Sequence, residues 1–312
     1  MRSTPSCSSA ASSPRRRLRR RSLREWSRKR GWVEGLRADQ PEFVAIDGKT
    51  SRRCHARARG REALHLVSAW ADGQRLVLGQ EAVAGRSNEI TAIPLLLERL
   101  ELAGALVTID AIGCQTRIAQ AVQAKQADYL LAVKANWPAL HAEIERYFAD
   151  APASACDRLE TTDGDHGRIE IRRHAVSRDV AWLTGDRRHP GEPRFPGLTA
   201  VAMVEAEVER AGTTTLARRY YLSSARLDAA TFARAVRSHW GIENRLHWIL
   251  DVVFHDDLVR LRTGHGAENM ATVRHMAVNL VRDTHGKHSL KVRRKKAAWS
   301  QNYLETLLRR TA

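Results

Sequence analysis

Two short apolar runs each end in a carboxylate: Phe43-Val44-Ala45-Ile46-Asp47 and Leu106-Val107-Thr108-Ile109-Asp110. A strand that buries its side chains and delivers an acid at its tip is costly, because an unpaired buried carboxylate loses several kcal/mol of hydration. Such groups hold a cation or pair with one. The chain carries 52 Lys and Arg against 35 Asp and Glu, a net charge of +17. Strand-tip acids on so basic a chain point to metal-dependent chemistry on a polyanion. A third acid is available in Glu243, inside His239-Trp240-Gly241-Ile242-Glu243-Asn244. Magnesium takes oxygen ligands and keeps several waters. Two ions about 3.5–4 Å apart can clamp the attacking and leaving oxygens of an in-line phosphoryl displacement. In that arrangement Asp47 would bridge both ions, Asp110 would hold one and Glu243 the other. The expected cofactor is Mg²⁺ or Mn²⁺, two ions per site.

Each residue also has a plainer reading. A strand-terminal Asp is often a turn former or helix cap. Glu243 could be a solvated helix glutamate, and Asp251 competes with it for the third-ligand role. His239, Glu243 and His247 fall at i, i+4 and i+8 on one helical face. That spacing could hold zinc, although it lacks the H-E-x-x-H arrangement. Asp256 and Asp257 read as surface or helix-end charges. Lys49, Arg52 and Arg53 directly follow Asp47 and are expected at the site mouth, against phosphates near the scissile bond. Lys134, Arg237 and His239 are expected near the acids as further DNA contacts, with Arg260, Arg262 and Arg274 tracking the backbone beyond. The competing reading for all of these is a solvated basic surface. Trp240 and Trp248 read as core rather than as base-stacking platforms. Cys114 has no paired base and reads as packing.

The elements that must position these groups follow from pattern. Phe43–Asp47 reads as a strand, Glu62–Ala71 as a second, and Gln74–Val83 as a third, with Asp72-Gly73 as a tight hairpin signal. Ser87 or Asn88 can cap a helix whose first stable turn holds Pro94 and which runs to about Leu102. Leu106–Asp110 is the fourth strand, Gln115–Gln126 a helix, and Tyr129–Lys134 the fifth strand. Trp137–Phe148 is a helix opened by Pro138. The order β-β-β-α-β-α-β-α resembles a ribonuclease H-like topology. There the first and fourth strands are neighbours, which would stand Asp47 beside Asp110. Beyond it, Asp163–Gly167 reads as a turn, Arg168–Val176 as a strand, and Thr199–Glu209 with Thr215–Ser223 as a hairpin about Ala211-Gly212. Helices follow over Thr231–Val253, capped by Asp228, and Ala267–Arg282, with Val273, Met276, Ala277 and Leu280 as its apolar stripe.

The expected fold class is therefore α/β: a mixed five-stranded ribonuclease H-like sheet with flanking helices, interrupted by a β-rich insertion before the last catalytic helix. Residues 1–40 form a Ser-, Ala- and Arg-rich segment with no capacity for a core, and its Arg15–Arg30 run is either a basic helix on phosphates or a solvated tail. Residues 41–150 hold the first part of the core, 151–227 the insertion, 228–285 the closing helices and 286–312 a basic tail. No apolar stretch approaches the roughly 20 residues of a membrane span. The N-terminus lacks the apolar segment of a secretory signal, while its Arg and Ser content leaves a transit peptide open. Cys7, Cys54, Cys114 and Cys156 fit neither a disulfide framework nor a zinc module. The expected location is the cytoplasm, at the nucleoid.

Several ordered segments carry a specific resemblance. They include Ala45-Ile46-Asp47-Gly48-Lys49-Thr50, Ser87-Asn88-Glu89-Ile90, Thr108-Ile109-Asp110-Ala111 with Cys114-Gln115, and Asp128–Lys134. Arg219–Ser224, His239–Asn244, Leu246–Val252 and Arg274–Leu280 continue the series. Together they resemble the ISAs-type insertion-sequence transposases, a family that includes the H-repeat-associated proteins and is similar to other DDE transposases. The resemblance implies a ribonuclease H-like core split by a β insertion, with Asp47, Asp110 and Glu243 as the acidic triad. It implies Mg²⁺-dependent cleavage at transposon ends, strand transfer into target DNA, and a homo-oligomer in the active complex. The chain departs from the related Tyr-Arg-Glu-Lys signature, offering Arg237 and His239 but no Arg directly before Trp240. Only about 40 residues precede the first motif, where the family usually has a helical domain, so a truncated copy is expected. Two other functions fit the same residues: a structure-specific nuclease, and a non-catalytic DNA-binding remnant or repressor.

Overall fold

The computed structural model describes residues 42–55, 62–83, 88–165, 168–184, 194–210, 212–283 and 287–309. The expectations for residues 1–40, Ser87 and the Ala211 position of the last hairpin lie outside them. Strands β1 (Phe43–Ser51), β2 (Leu64–Ala71) and β3 (Leu76–Ala82) run antiparallel to one another in sequence. Helix α1 (Glu89–Glu98) crosses to β4 (Leu106–Ile109), α2 (Thr116–Gln123) to β5 (Asp128–Val133), and α3 (Pro138–Asp150) follows. β4 lies parallel to β1 on one side and to β5 on the other. All four β4 residues are buried, as expected of a strand covered on both faces.

The β-rich stretch does not interrupt the sheet but extends it. β6 (Asp157–Asp165), β7 (Arg168–Ser177), the short α4 (Ala181–Thr184), β8 (Ala200–Arg210) and β9 (Thr213–Ser223) follow in order. β9 pairs antiparallel with β5, giving one nine-stranded sheet in the order β3-β2-β1-β4-β5-β9-β8-β7-β6. The expectation of five strands therefore falls short. A bare β5 edge would leave a row of unpaired backbone groups, and β9 satisfies them. β6 escapes sequence reading because Asp-Arg-Leu-Glu-Thr-Thr-Asp-Gly-Asp has Leu159 as its single large apolar residue, so the expected turn over 163–167 is in part strand.

The two sheet faces carry separate cores. Val44 and Ile46 on β1 pack with α1, α2 and α3 residues such as Leu97, Ile118 and Ile144. Ala45, between them, points the other way, against Trp70, Ile242, Leu246 and Val278. That second face is covered by α5 (Ala229–Gly241), a single π-helical turn (Ile242–His247), α6 (Trp248–Val252) and α7 (Gly266–Arg282). The Asp228 carboxylate accepts the Thr231 N–H at 2.6 Å, as a cap should. α8 (Leu290–Trp299) and α9 (Gln301–Arg309) close the described chain.

Four local expectations change. Pro94 is the sixth residue of α1, not in its first turn, because the helix begins at Glu89; Asn88 stands at the N-cap without a side-chain cap bond. The β2–β3 connection spans Asp72 to Arg75, and Arg75 rather than Gly73 takes the left-handed backbone, with φ 57°. The α7 stripe is misplaced: Val273 is 55% exposed, while His275, Val278, Asn279 and Val281 are buried. Polar Asn279 goes inside because it binds β3, its amide oxygen taking the Val77 N–H and its amide nitrogen donating to the Val77 carbonyl, both at 2.9 Å. This side chain substitutes for a strand on the β3 edge.

Candidate functional site

Register brings the two strand-tip acids together. Ile46 pairs with Ile109 across the parallel β1–β4 ladder, so the next residues, Asp47 and Asp110, leave neighbouring strands side by side. Alternation along β1 puts Asp47 on the face of Ala45, and along β4 puts Asp110 on the face of Thr108. That is the face covered by α5 and its π turn, where Thr108 Oγ1 meets His239 Nδ1 at 2.9 Å. The π turn contains Glu243 and His247, and single π turns inside helices recur at functional sites.

Electrostatics register the convergence. Burial first, and then the charges of Asp110, Glu89 and Glu243, push the Asp47 carboxyl up to about 7, against a hydrogen bond from the Gly48 N–H. Burial and the Glu89 charge likewise raise Asp110, offset by the Gly113 and Ile112 N–H groups and the Lys134 ammonium. Glu243 is exposed. The His247 Nδ1 lies 3.4 Å from Asp47 Oδ2. Burial, with Lys49 and two other histidines near, holds His247 down at about 3, so it faces Asp47 as a neutral imidazole. The three expected ligands thus share one field without crowding: among the described residues, they do not bring oxygens within 4.8 Å of one another as a triple.

The triple that does so is Asp251, Asp256 and Asp257. Its cations are already present as side chains. Lys49 Nζ lies 2.7 Å from Asp251 Oδ1 and 3.7 Å from Asp257 Oδ1. Asp256 accepts from the Ser51 hydroxyl at 2.6 Å and from Arg274 at 2.7 Å. This is an internal lock between the end of β1, the α6 region and α7. It sets the surroundings of four residues. Lys49 is held inside by carboxylates rather than presented to phosphate. Arg274 is a half-buried partner of Asp256. Asp256 is itself buried rather than a surface charge. Asp251, the rival third ligand, is taken by Lys49.

The other expected DNA contacts divide. Arg52, Arg53, Lys134, Arg260 and Arg262 are exposed. Arg52 Nε is 3.5 Å from Asp257, and Arg262 donates to the Arg53 carbonyl at 3.5 Å. Arg237 is exposed but 3.1 Å from Asp163 on β6. His239 differs from these: burial pushes it down to about 4, and its ring is bonded to Thr108. The zinc reading fails as well, since His239 is held by Thr108, His247 faces Asp47, and no such cluster forms among the described residues. Burial pushes the Cys114 thiol up to about 12, in keeping with packing. Trp240 and Trp248, expected in the core, are 43% and 56% exposed, while Ile242 and Leu246 between them are buried. Arg219 lies over the Trp240 ring, 5.1 Å from its centroid.

Sequence reading missed Glu89 and His65. Glu89 opens α1, and its charge acts on both Asp47 and Asp110. Its Oε1 is 2.7 Å from His65 Nε2. A glutamate in the first turn of a helix is ordinarily read as a partner of the helix dipole, so nothing local marks it.

Residues 38–280 match the family model of the transposase DDE domain. The chain is 39% identical over 274 residues to the "H repeat-associated putative transposase YhhI" of Escherichia coli K12, covering 87% of this chain and 72% of that one. It is 40% identical over 273 residues to the "Putative transposase YncI" of Escherichia coli O157:H7, covering 86% of this chain and 69% of that one. A similar match, 39% over 274 residues, reaches the "Putative protein YbfL" of Escherichia coli K12. With the strand-tip acids, the facing helix and these relatives in view, the chain belongs to the DDE-domain transposases, among the H repeat-associated insertion-sequence proteins.

Proposed function

We propose that this chain cuts DNA at transposon ends and joins the freed strand to target DNA, with Asp47, Asp110 and Glu243 holding Mg²⁺ or Mn²⁺. The observation that carries the reading is the meeting of Asp47 and Asp110 at paired strand tips beneath the helix that bears Glu243. The donor set fits the ion: carboxylate oxygens, partly buried and mutually repelling, suit a hard divalent cation and are relieved by one. When bound, the ions supply charge stabilisation at the attacking and leaving oxygens of a phosphoryl transfer. The remaining work falls to the chain. The two strand ends fix Asp47 and Asp110, and His247 backs Asp47 with a neutral ring. Glu243 sits in a π turn, which lets it adjust while its neighbours Ile242 and Leu246 stay packed. Lys134, Arg52, Arg53, Arg260 and Arg262 offer charge to backbone phosphates, and Trp240 and Trp248 offer faces for bases.

The order β3-β2-β1-β4-β5, with its directions, supports a ribonuclease H-like core, which β6–β9 extend as the insertion. An oligomer on paired DNA ends belongs to the same proposal. Among the described residues no helix is long and apolar enough to cross a membrane.

The test is Asp110→Asn in a plasmid carrying the element's ends, with Mg²⁺. We expect nicking to fall about 1,000-fold or more while end binding persists, as loss of several kcal/mol of charge stabilisation requires. Nicking that survives in the variant would defeat the proposal. Nicking without joined products in the parent chain would instead favour a nuclease, and salt-sensitive binding without any nicking a DNA-binding remnant.

A further inference from the structure

We propose that α8 is a phosphate-tracking helix, with Lys291, Lys295 and Trp299 forming one outward face that holds duplex DNA. The inference rests on the DNA reading above and adds a surface outside the strand-tip site. Composition comes first. Leu-Lys-Val-Arg-Arg-Lys-Lys-Ala-Ala-Trp carries five cations and no acid in ten residues. Such a helix repels itself. Lys291 and Lys295 are like charges at i and i+4, and a cation in the first turn opposes the helix dipole. Among the described residues no acid pairs with either lysine. The one acid of the neighbouring α9, Glu305, faces Arg309 at 3.7 Å. The counter-charge that this face lacks must come from another molecule.

The helix sorts its cations by face. On the inward side Leu290 packs against the core that holds Ile242 and Leu246 of the π turn. Arg293 donates to the Val281 carbonyl at 3.2 Å, and the Arg294 guanidinium lies over the Phe254 ring, 5.7 Å from its centroid. The two arginines therefore anchor the helix. On the outward side Lys291, Lys295 and Trp299 fall at i, i+4 and i+8, and all three are exposed, Trp299 by 79%. Four helical residues rise about 6 Å, near the roughly 7 Å of two phosphate steps along one DNA strand. The face thus matches a nucleic-acid backbone in charge and in spacing. A lipid surface fits it less well, because a helix lying on a membrane needs an apolar face to bury. Here the inward face is already seated on protein and the outward one presents lysines. The placement agrees with the DNA reading, since α8 is rooted in the same core as the turn that bears Glu243.

Fluorescence anisotropy of the full chain with a labelled duplex carrying an element end, followed over a range of salt concentrations without divalent metal, tests this without any turnover. Lys291→Gln combined with Lys295→Gln should lower the slope of log affinity against log salt by about two. At 0.15 M salt it should weaken binding about 30-fold, as loss of two phosphate contacts requires. Lys291→Arg combined with Lys295→Arg keeps both charges and should keep the parent's slope. Trp299→Ala should weaken binding about 5-fold or more and leave the slope unchanged, since the ring carries no charge. The double glutamine chain should melt no lower than the parent, because like charges have been removed. If that chain keeps the parent's slope while Lys134→Ala lowers it by about one, α8 lies off the DNA and this inference falls alone. If the parent shows no salt-dependent binding of the duplex, the DNA reading falls with it. Loss of binding to vesicles of phosphatidylserine and phosphatidylcholine, with duplex binding intact, would make a lipid surface the occupant and overturn the proposal.

Discussion

At the scale of the residue, the site is defined by charges that oppose one another until something neutralises them. Asp47 holds its proton to about pH 7 in the folded chain, against 3.8 ordinarily. A folded pKa raised in this way gives stability that is fully present at low pH and is lost as pH rises toward and through 7. Asp47→Asn should therefore melt higher than the parent at pH 8 without metal, by at most on the order of 4 kcal/mol, with the advantage vanishing as pH falls from 7 toward 4. Saturating Mn²⁺ should reverse the ranking at pH 8, since only the parent keeps the ligand. His247 has the opposite sign. Its folded pKa of about 3 lies below 6.5, so its neutral burial costs stability as pH drops below 6.5. Replacing it by Asn should flatten the acid side of a melting-temperature profile.

At the scale of the element, the lock around Asp256 decides whether the closing helices stay seated on β1. Arg274 and Asp256 are both nearly buried, 13% and 6% exposed, at 2.7 Å. Removing one partner of such a pair leaves an uncompensated charge, so Arg274→Met should cost about 3–5 kcal/mol in urea unfolding, and adding Asp256→Leu should recover much of it. This lock also shows where sequence reading stops. The strand-tip placement of Asp47 and Asp110 was legible because strand, tip and acid are contiguous. The β1–β4 adjacency was legible because element order constrains topology. The ion pair of Lys49 was not legible because its partner Asp251 is 202 residues away. The α7 stripe was misread because hydrophobic periodicity assumes apolar contacts, whereas Asn279 is buried to hydrogen-bond an edge strand. The exposed Trp240 and Trp248 were assigned to the core for the same reason, by type rather than by face. Glu89 and the π turn had no local signature: one looks like a dipole partner, the other like continuous helix.

At the scale of the whole molecule, a net charge of +17 is spent unevenly. DNA affinity should fall steeply with salt, with each phosphate contact adding close to one unit to the logarithmic slope. Lys134→Ala should reduce that slope by about one and Lys49→Ala should not, since the Lys49 ammonium already faces Asp251 and Asp257. Equal reductions would mean that the lock opens on DNA. The extended sheet has a mechanical consequence. β9 is bonded to β5 along Leu130–Val133, the Ser223 hydroxyl donates to the Tyr129 carbonyl at 2.8 Å, and the Ser224 hydroxyl to Asp128 at 2.7 Å. Five residues later the chain enters α5, which runs straight to Glu243. The outer hairpins and the helix that carries the facing acid are therefore tied to one another twice, through this short segment on the β5 ladder and through the Arg237–Asp163 ion pair, so a change at the far hairpin has a covalent and an ionic route to that acid.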